Sequence, residues 1–189
     1  MKMVSLMITI LLAGCMSASE TADTMYLLPE TKSQVPNSEV VTQRPLLIVP
    51  PVDLASFLDD RGIVFRSSES QIIQAKHNRW AQRLSDQITQ RVIDDLRHKQ
   101  SQYWPVKAGA YLNQRTESKL FLSLSKFNGN YQGNAELEGE WMYIEADGKV
   151  KHRSQVKILV PLQGEGYDSL VRALSSGMNT LTDDIARYF

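Results

Sequence analysis

The sequence predicts an α+β domain in two layers, with a mixed sheet in one layer and two main helices on one face of that sheet. Three consecutive segments between residues 118 and 160 alternate apolar and polar side chains, which is typical of antiparallel strands. Two other segments carry apolar residues three or four positions apart, which is typical of amphipathic helices. A sheet face and two helical stripes can bury one another, and this favours the two-layer fold.

The N-terminus has the pattern of a bacterial lipoprotein signal. Lys2 precedes an apolar run over residues 4–12 that is too short to span a bilayer. The run leads into a lipobox at residues 12–15 (Leu-Ala-Gly-Cys), where small residues suit the signal peptidase and the thiol accepts lipid. We therefore predict a signal peptide over residues 1–14. The alternative is an uncleaved apolar N-terminus with an incidental cysteine.

Cys15 is the only cysteine, so neither an intramolecular disulfide nor a thiolate metal cluster is expected. Acyl chains on Cys15, such as palmitate, would hold the mature protein at a membrane surface. Met16 follows it, and the lack of aspartate at this position favours the outer membrane over the inner one. Residues 15–24 read as a lipidated tether, and residues 25–189 as a single domain that faces the periplasm.

Several short strands are predicted before the first helix. The continuous apolar run 46–49 is typical of a strand that is buried on both faces. Residues 54–58 are expected to form a loop that contains apolar side chains. Further strands are expected at residues 26–29, 63–66 and 71–76.

The first helix is predicted to begin with Asn78 as its N-cap. Asp95 and Lys99 are four residues apart and can pair in its last turns. Its apolar stripe recurs at every fourth position and consists of Trp80, Leu84, Ile88, Val92 and Leu96.

The region from about 118 to 160 predicts a three-stranded antiparallel meander. Asn128-Gly129 has the composition of a two-residue hairpin turn, and such a turn would pair Leu122 with Ala135. Both residues belong to the apolar sets of their segments, so this register would place those sets on one face of the sheet.

Asp147-Gly148 predicts the second turn of the meander. A two-residue turn here would pair Leu137 with Ile158 on the apolar face. It would also place Glu138 opposite Lys157 on the other face, which is a favourable cross-strand pair.

A last helix is predicted after Gly164 and Gly166. It is expected to lie beside the first helix on the apolar face of the meander. Its stripe follows a 3–4 spacing and consists of Leu170, Val171, Leu174, Met178, Leu181, Ile185 and Tyr188.

The composition argues against nucleic-acid binding, because 21 basic residues are balanced by 21 acidic ones. His77, His98 and His152 are isolated in sequence, without a second ligand at metal-binding spacing. Neither a nucleophile elbow nor a Gly-rich phosphate loop is present. We therefore predict a protein that is not an enzyme, with no metal and no cofactor other than the covalent lipid on Cys15.

Two features are candidates for binding. Apolar residues beside charges at 54–61 give the candidate partner-binding residues, with capping of the core as the alternative. These residues are Leu54, Phe57, Leu58 and Arg61. The second feature is the sheet face with Glu136, Glu138 and Glu140, which is expected to be a solvated surface or, alternatively, an interface.

In order and spacing, these segments resemble the PqiC/YmbA family, the auxiliary lipoproteins of ABC-type transport systems with MCE proteins. The resemblance covers most of the mature chain. It rests on the lipobox at Cys15 and on residues 26–29, 47–52, 57–64 and 77–84, followed by the meander and the final helix. Residues 77–81 (His-Asn-Arg-Trp-Ala) are the most specific part, whereas Phe57 stands where the family usually has tyrosine.

The resemblance implies a fold similar to the N-terminal domain of TolB and a subunit of an intermembrane lipid transport system that supports envelope integrity. An MCE-domain protein would be the conduit, and this chain would dock it at the outer membrane. A homo-oligomer is left open. The alternatives are a stand-alone lipid-binding carrier and a structural scaffold of the envelope.

Overall fold

The computed structural model describes residues 22–30, 44–109 and 116–189. The predicted signal peptide, the lipidation site Cys15 and most of the tether lie outside these residues. They therefore stay predictions.

Nine strands, two α-helices and one short 3₁₀ helix form the described part of the chain. The helices are α1 (Leu84–Lys99) and α2 (Gly166–Tyr188), and the 3₁₀ helix is Ser56–Leu58. The strands are β1 (Thr24–Tyr26), β2 (Leu46–Val49), β3 (Asp53–Leu54), β4 (Gly62–Arg66), β5 (Ile72–Trp80), β6 (Trp104–Lys107), β7 (Ser118–Asn130), β8 (Asn134–Ile144) and β9 (Val150–Pro161).

Strand β7 organises the sheet. One of its edges pairs antiparallel with β8, which in turn pairs with β9. Its other edge pairs in parallel with β2, β3 and β4 in succession. Strand β6 extends the sheet beyond β2, while β5 and then β1 extend it beyond β4. The sheet is mixed and contains the predicted meander, so the predicted α+β class is confirmed.

The core lies between the sheet and the two helices, which also pack on each other. The stripe of α2 faces β7, β8 and β9, and its residues Leu174, Met178 and Ile185 are fully buried. The stripe of α1 is buried as well, at Leu84, Ile88, Val92 and Leu96. The predicted helical stripes are therefore confirmed, except that Tyr188 is 39% exposed and Trp80 precedes α1.

The second turn of the meander has the predicted register. Leu137 pairs with Ile158, and Glu138 pairs with Lys157. Gly148 at this turn has a φ of +84°, a left-handed conformation that glycine adopts without strain. This hairpin could be predicted because its turn and both alternating strands lie next to each other in the sequence.

The first predicted turn and its register are wrong. Strand β7 continues through Asn128 and Gly129, and the chain turns at residues 131–133, so Leu122 pairs with Trp141 instead of Ala135. Close packing requires a glycine at position 129, since a Cβ there would lie 2.7 Å from Cδ2 of Phe65. Gly133, with a φ of +79°, supplies the left-handed turn residue.

The predicted start of the first helix is also wrong. Strand β5 continues through Asn78 to Trp80, because this stretch pairs with β1 on one side and the backbone N–H of Trp80 donates to the carbonyl of Arg61 on the other. Helix α1 begins at Leu84. Trp80 is 2% exposed and packs on Phe127, so it belongs to the core as a strand residue.

Candidate partner-binding site

The segment with the four candidate residues is fixed to the middle of β7. Leu54 of β3 pairs with Leu124 of β7, and the backbone N–H of Ala55 donates to the Leu124 carbonyl over 3.0 Å. The 3₁₀ helix follows, and Arg61 accepts the N–H of Trp80 at 2.7 Å. The stretch predicted as a loop is therefore a short strand and a helical turn, held by backbone bonds from both sides.

This anchoring leaves two of the four candidate residues buried and the other two accessible to a partner. Leu58 is 1% exposed and Leu54 is 9% exposed, so both side chains contribute to the core. Phe57 is half-buried and packs against that core, while Arg61 is exposed. A partner could therefore contact Phe57 and Arg61 directly, whereas Leu54 and Leu58 could act only by supporting them.

The face with the three glutamates holds a buried ion pair. Glu136 is only 1% exposed, and both of its carboxylate oxygens accept bonds from the guanidinium of Arg66, at 2.7 and 2.8 Å. Nδ2 of Asn128 and Nδ2 of Asn130 donate to the same carboxylate at 2.8 and 3.2 Å. The guanidinium of Arg66 also lies 5.2 Å from the ring centre of Tyr131. The expectation of a solvated Glu136 is wrong.

The neighbouring Glu138 and Glu140 match the expected solvated surface more closely than Glu136 does. Glu138 pairs with Lys126 at 2.9 Å, and Glu140 pairs with an exposed Arg153. The sequence did not identify the Arg66–Glu136 pair, because the turn predicted at 128–129 placed Asn128 and Asn130 away from Glu136. With the observed register, Asn128 stands directly opposite Glu136 and the polar cluster follows.

The Arg66–Glu136 pair predicts a specific acid sensitivity. Burial by itself raises the pKa of Glu136, but bonds from Arg66, Asn128 and Asn130 outweigh it and lower the pKa from 4.5 to about 2. Because the pKa is lower in the folded state, the contribution is complete above pH 4.5 and is lost as the pH falls towards 2. We expect Glu136→Gln to cost about 1–3 kcal/mol at neutral pH, and less in acid.

Urea unfolding between pH 7 and pH 3 measures this effect. Glu138→Gln is the matched control on the same face of β8, and its loss should stay below about 1 kcal/mol because that carboxylate is partly solvated. A cost of Glu136→Gln that does not change with pH would contradict the assignment of the lowered pKa to this pair.

A second buried polar network joins the two helices. Nε of Arg91 donates to both carboxylate oxygens of Asp95 at 2.9 Å, and the two residues are 5% and 1% exposed. Arg91 also donates to Ser175 and Asn179 of α2 and, through a short bond, to the carbonyl of Pro29. This arginine therefore connects α1, α2 and the segment that follows β1.

The three histidines lie apart from one another. His77 contacts Asp23 at 3.0 Å beside β1, and His98 lies in the last turn of α1 with Nδ1 2.7 Å from the Asp94 carbonyl. His152 pairs with Tyr143 and packs against the rings of Trp141 and Tyr188, with ring centres 4.6 and 4.4 Å away.

The described part of the chain offers neither a metal-binding cluster nor a helix that could span a membrane. Among residues 22–30, 44–109 and 116–189, no group of three or more histidine, cysteine or acidic side chains is arranged to hold a metal ion. Neither α1 nor α2, the helices of that same part of the chain, combines the length and apolar character needed to cross a membrane.

The sequence is similar to a family described as the ABC-type transport auxiliary lipoprotein component, whose sequence model matches residues 26–186. The intermembrane transport lipoprotein PqiC of Escherichia coli (strain K12) is 30% identical over 169 residues, which cover 87% of this chain and 84% of that protein. The PqiC protein of Shigella flexneri gives the same values.

Two crystal structures share the fold. One, of an uncharacterized protein, has a TM-score of 0.74 at 24% identity and covers 88% of this chain and 98% of its own. The other, protein XCC0632 from Xanthomonas campestris, has a TM-score of 0.68 at 17% identity and covers 86% of this chain and 92% of its own. These structural likenesses concern the fold alone.

Proposed function

The chain belongs to the family of ABC-type transport auxiliary lipoproteins, and from this premise we propose that it is the outer-membrane-anchored docking subunit of an MCE-type intermembrane lipid transport system. The match over residues 26–186 is the observation that carries this proposal. In this role the protein carries out no catalysis. It holds an MCE-domain protein at the outer membrane and so supports the integrity of the envelope.

The anchor in this proposal is the covalent lipid on Cys15. The lipobox and the lack of a second cysteine support this assignment. Met16 supports sorting to the outer membrane. Growth with radiolabelled palmitate would label the natural protein and leave Cys15→Ser unlabelled, and density separation of the envelope would place the labelled protein in the outer membrane fraction. Labelling of the Cys15→Ser variant would contradict the assignment.

The pairing of the polar side chains in the described residues favours docking over catalysis. The buried charged groups, Arg91, Asp95 and Glu136, are occupied by one another or by Arg66, and by neighbouring amides and hydroxyls. His152 packs against the rings of Trp141 and Tyr188. These groups stabilise the packing of the sheet and helices, and a docking surface needs such rigidity.

Affinity purification of the full-length tagged lipoprotein from mildly solubilised envelopes tests the partner. We expect mass spectrometry to identify an MCE-domain protein in the eluate. Recovery of the correctly acylated lipoprotein without such a protein would contradict the docking role. The same eluate, analysed by light scattering, would show whether the lipoprotein also forms the homo-oligomer that the sequence left open.

Two variants test the docking surface around the 3₁₀ helix. We expect Phe57→Asp and Arg61→Glu each to reduce recovery of the MCE-domain protein by about tenfold, which corresponds to about 1.4 kcal/mol. Arg61 is exposed and Phe57 is only partly buried, so both variants should keep a cooperative thermal transition. Lys76→Glu, an exposed charge reversal on β5, is the control. Equal recovery with all three variants would remove this surface from the docking role.

The alternative of a stand-alone lipid carrier requires an enclosed apolar cavity, and ligand sites usually have volumes of about 300–1,000 Å³. The apolar recess bounded by Phe65, Leu162, Tyr167 and Leu170 has a volume of about 130 Å³. Three larger grooves among the described residues are open and partly lined by charged residues. This favours docking over carriage. A phospholipid bound stoichiometrically to the purified Cys15→Ser protein would favour the carrier instead.

A further inference from the structure

The connections that precede β5, β8 and α2 lie together at one end of the domain. Phe65 and Arg66 of β4 pair with Gly129 and Asn130 at the end of β7, so the β4–β5 turn and the β7–β8 turn lie side by side. The N–H of Leu162 donates to the Gly133 carbonyl at 2.9 Å, which brings the start of α2 to the same place.

This end exposes aliphatic and aromatic side chains. Ile72, Ile73 and Tyr131 are 47%, 53% and 43% exposed. Leu162 and Tyr167 are half-buried beside them around Phe65. We call these five residues the basal rim: Ile72, Ile73, Tyr131, Leu162 and Tyr167.

The direction of β1 relates the basal rim to the tether. Thr24 pairs in parallel with Asn78, and Asp23 contacts His77, so Asp23 lies on the side of Thr24 that faces Ile72. His77 is five residue steps along β5 from Ile72, a distance of about 17 Å. Asp23 is eight residue steps from Cys15, and their extended length is at most about 28 Å. The lipidated residue can therefore extend beyond the basal rim by about 10 Å.

The opposite end of the sheet is poorly placed for the membrane. It is marked by the β8–β9 turn at residues 145–149, and β8 alone, from Asn134 to Ile144, spans about 33 Å. Reaching that end would require the tether to reverse the direction in which it joins β1 and to cross from β1, at one edge of the sheet, past β5, β4 and β7 to the β8–β9 turn. Acyl chains on Cys15 would therefore bring the basal rim to a bilayer surface more readily than the opposite end.

The side chains of the basal rim suit a lipid interface. Tyrosine and branched aliphatic residues insert at the boundary between head groups and acyl chains. The three connections 67–71, 131–133 and 162–166 contain no lysine or arginine and two carboxylates, Glu69 and Glu165. Binding at this end would therefore depend on apolar contact and gain nothing from anionic lipid.

We propose that the basal rim is a bilayer-contacting surface that orients the domain upright on the membrane in which Cys15 is inserted. The proposal rests on the lipid anchor assigned under the proposed function. In this orientation the β8–β9 turn points away from the membrane, into the aqueous space.

Fluorophores at single positions test the orientation in the full-length acylated protein. Acylation blocks the thiol of Cys15, so Ser70→Cys, Gln132→Cys and Ala146→Cys can each be labelled with bimane at an exposed position. The first two positions lie at the basal rim, and the third lies in the β8–β9 turn. The proteins are reconstituted into phosphatidylcholine vesicles with brominated acyl chains, with and without added phosphatidylglycerol.

We expect quenching at positions 70 and 132 to exceed quenching at position 146 by at least about twofold, with or without phosphatidylglycerol, since only groups at the interface contact the acyl region. Ile72→Ser combined with Ile73→Ser should lower quenching at position 132. Val150→Ser, which changes a residue 57% exposed at the opposite end, should leave quenching unchanged.

Flotation of the vesicles separates this proposal from that of the anchor. Protein that fails to float with the vesicles would overturn both. Protein that floats, but with equal quenching at all three positions or with the strongest quenching at position 146, would overturn the basal rim alone. Bimane at position 70 that becomes shielded only as the protein-to-lipid ratio rises would show that a second copy covers the rim, and would also overturn the proposal.

Discussion

Asp95→Ala is expected to lower the free energy of unfolding by about 3–5 kcal/mol, because it leaves the charge of Arg91 buried without its carboxylate. Arg91 is 5% exposed, and both carboxylate oxygens of Asp95 accept bonds from its Nε. Asp95 also accepts from the hydroxyl of Thr182 at 2.8 Å, so the substitution weakens the contact between α1 and α2 as well. Urea unfolding followed by circular dichroism measures the loss.

Asp94→Ala is the matched control, since Asp94 is the neighbouring residue on α1 and its side chain is 45% exposed. Its loss should be within about 0.5 kcal/mol, as for most surface substitutions. The double variant Arg91→Leu with Asp95→Leu removes both charges and should be more stable than Asp95→Ala. Equal losses for Asp94→Ala and Asp95→Ala would show that the buried pair contributes no more to the free energy of unfolding than an exposed carboxylate does.

Gly139→Ala should cost about 3 kcal/mol, the upper end of the usual penalty for overpacking, although it adds a single methyl group. A Cβ at Gly139 would lie 2.0 Å from the carbonyl oxygen of Ser123 and 2.8 Å from Cα of Leu124. Both atoms are backbone atoms of β7 at the point where its pairing with β8 shifts register. The neighbouring strand must therefore move, and no side-chain rotation can relieve the contact.

Differential scanning calorimetry measures this loss, which should appear as a decrease in Tm of about 6–12 °C. Gly109→Ala is the control, because a Cβ there would have no heavy atom within 4 Å, and its Tm should stay within about 2 °C of the natural protein. Gly139→Ala with an unchanged Tm would show that β7 and β8 can separate at this point without cost.

Most elements and the positions of the buried stripes could be predicted because each depends on neighbouring residues, but β3 and β6 were not predicted. The pairing of Leu137 with Ile158 follows from alternation and one turn, and the stripe of α2 follows from a 3–4 spacing. The family resemblance was likewise carried by local segments in a fixed order. Where a short run of sequence contains the whole physical cause, the prediction was confirmed.

Predictions failed where a distant strand changed the local preference. Asn128-Gly129 has ideal turn composition, yet Gly129 is needed where Phe65 and Leu170 approach the backbone, and the turn forms later. Asn78 has the composition of an N-cap, yet its pairing with Thr24 holds it in a strand. Backbone pairing with residues more than fifty positions away outweighed both local signals.

The candidate site shows the same division. The sequence by itself determined which residues are apolar or charged, where the lipobox lies and which family the segments resemble. Only the tertiary structure decided that Leu58 is buried while Arg61 is exposed, and that Glu136 is enclosed by Arg66 and two asparagines. The reason is physical: composition and periodicity are properties of neighbouring residues, whereas burial and charge pairing depend on which remote strands and helices the fold brings together.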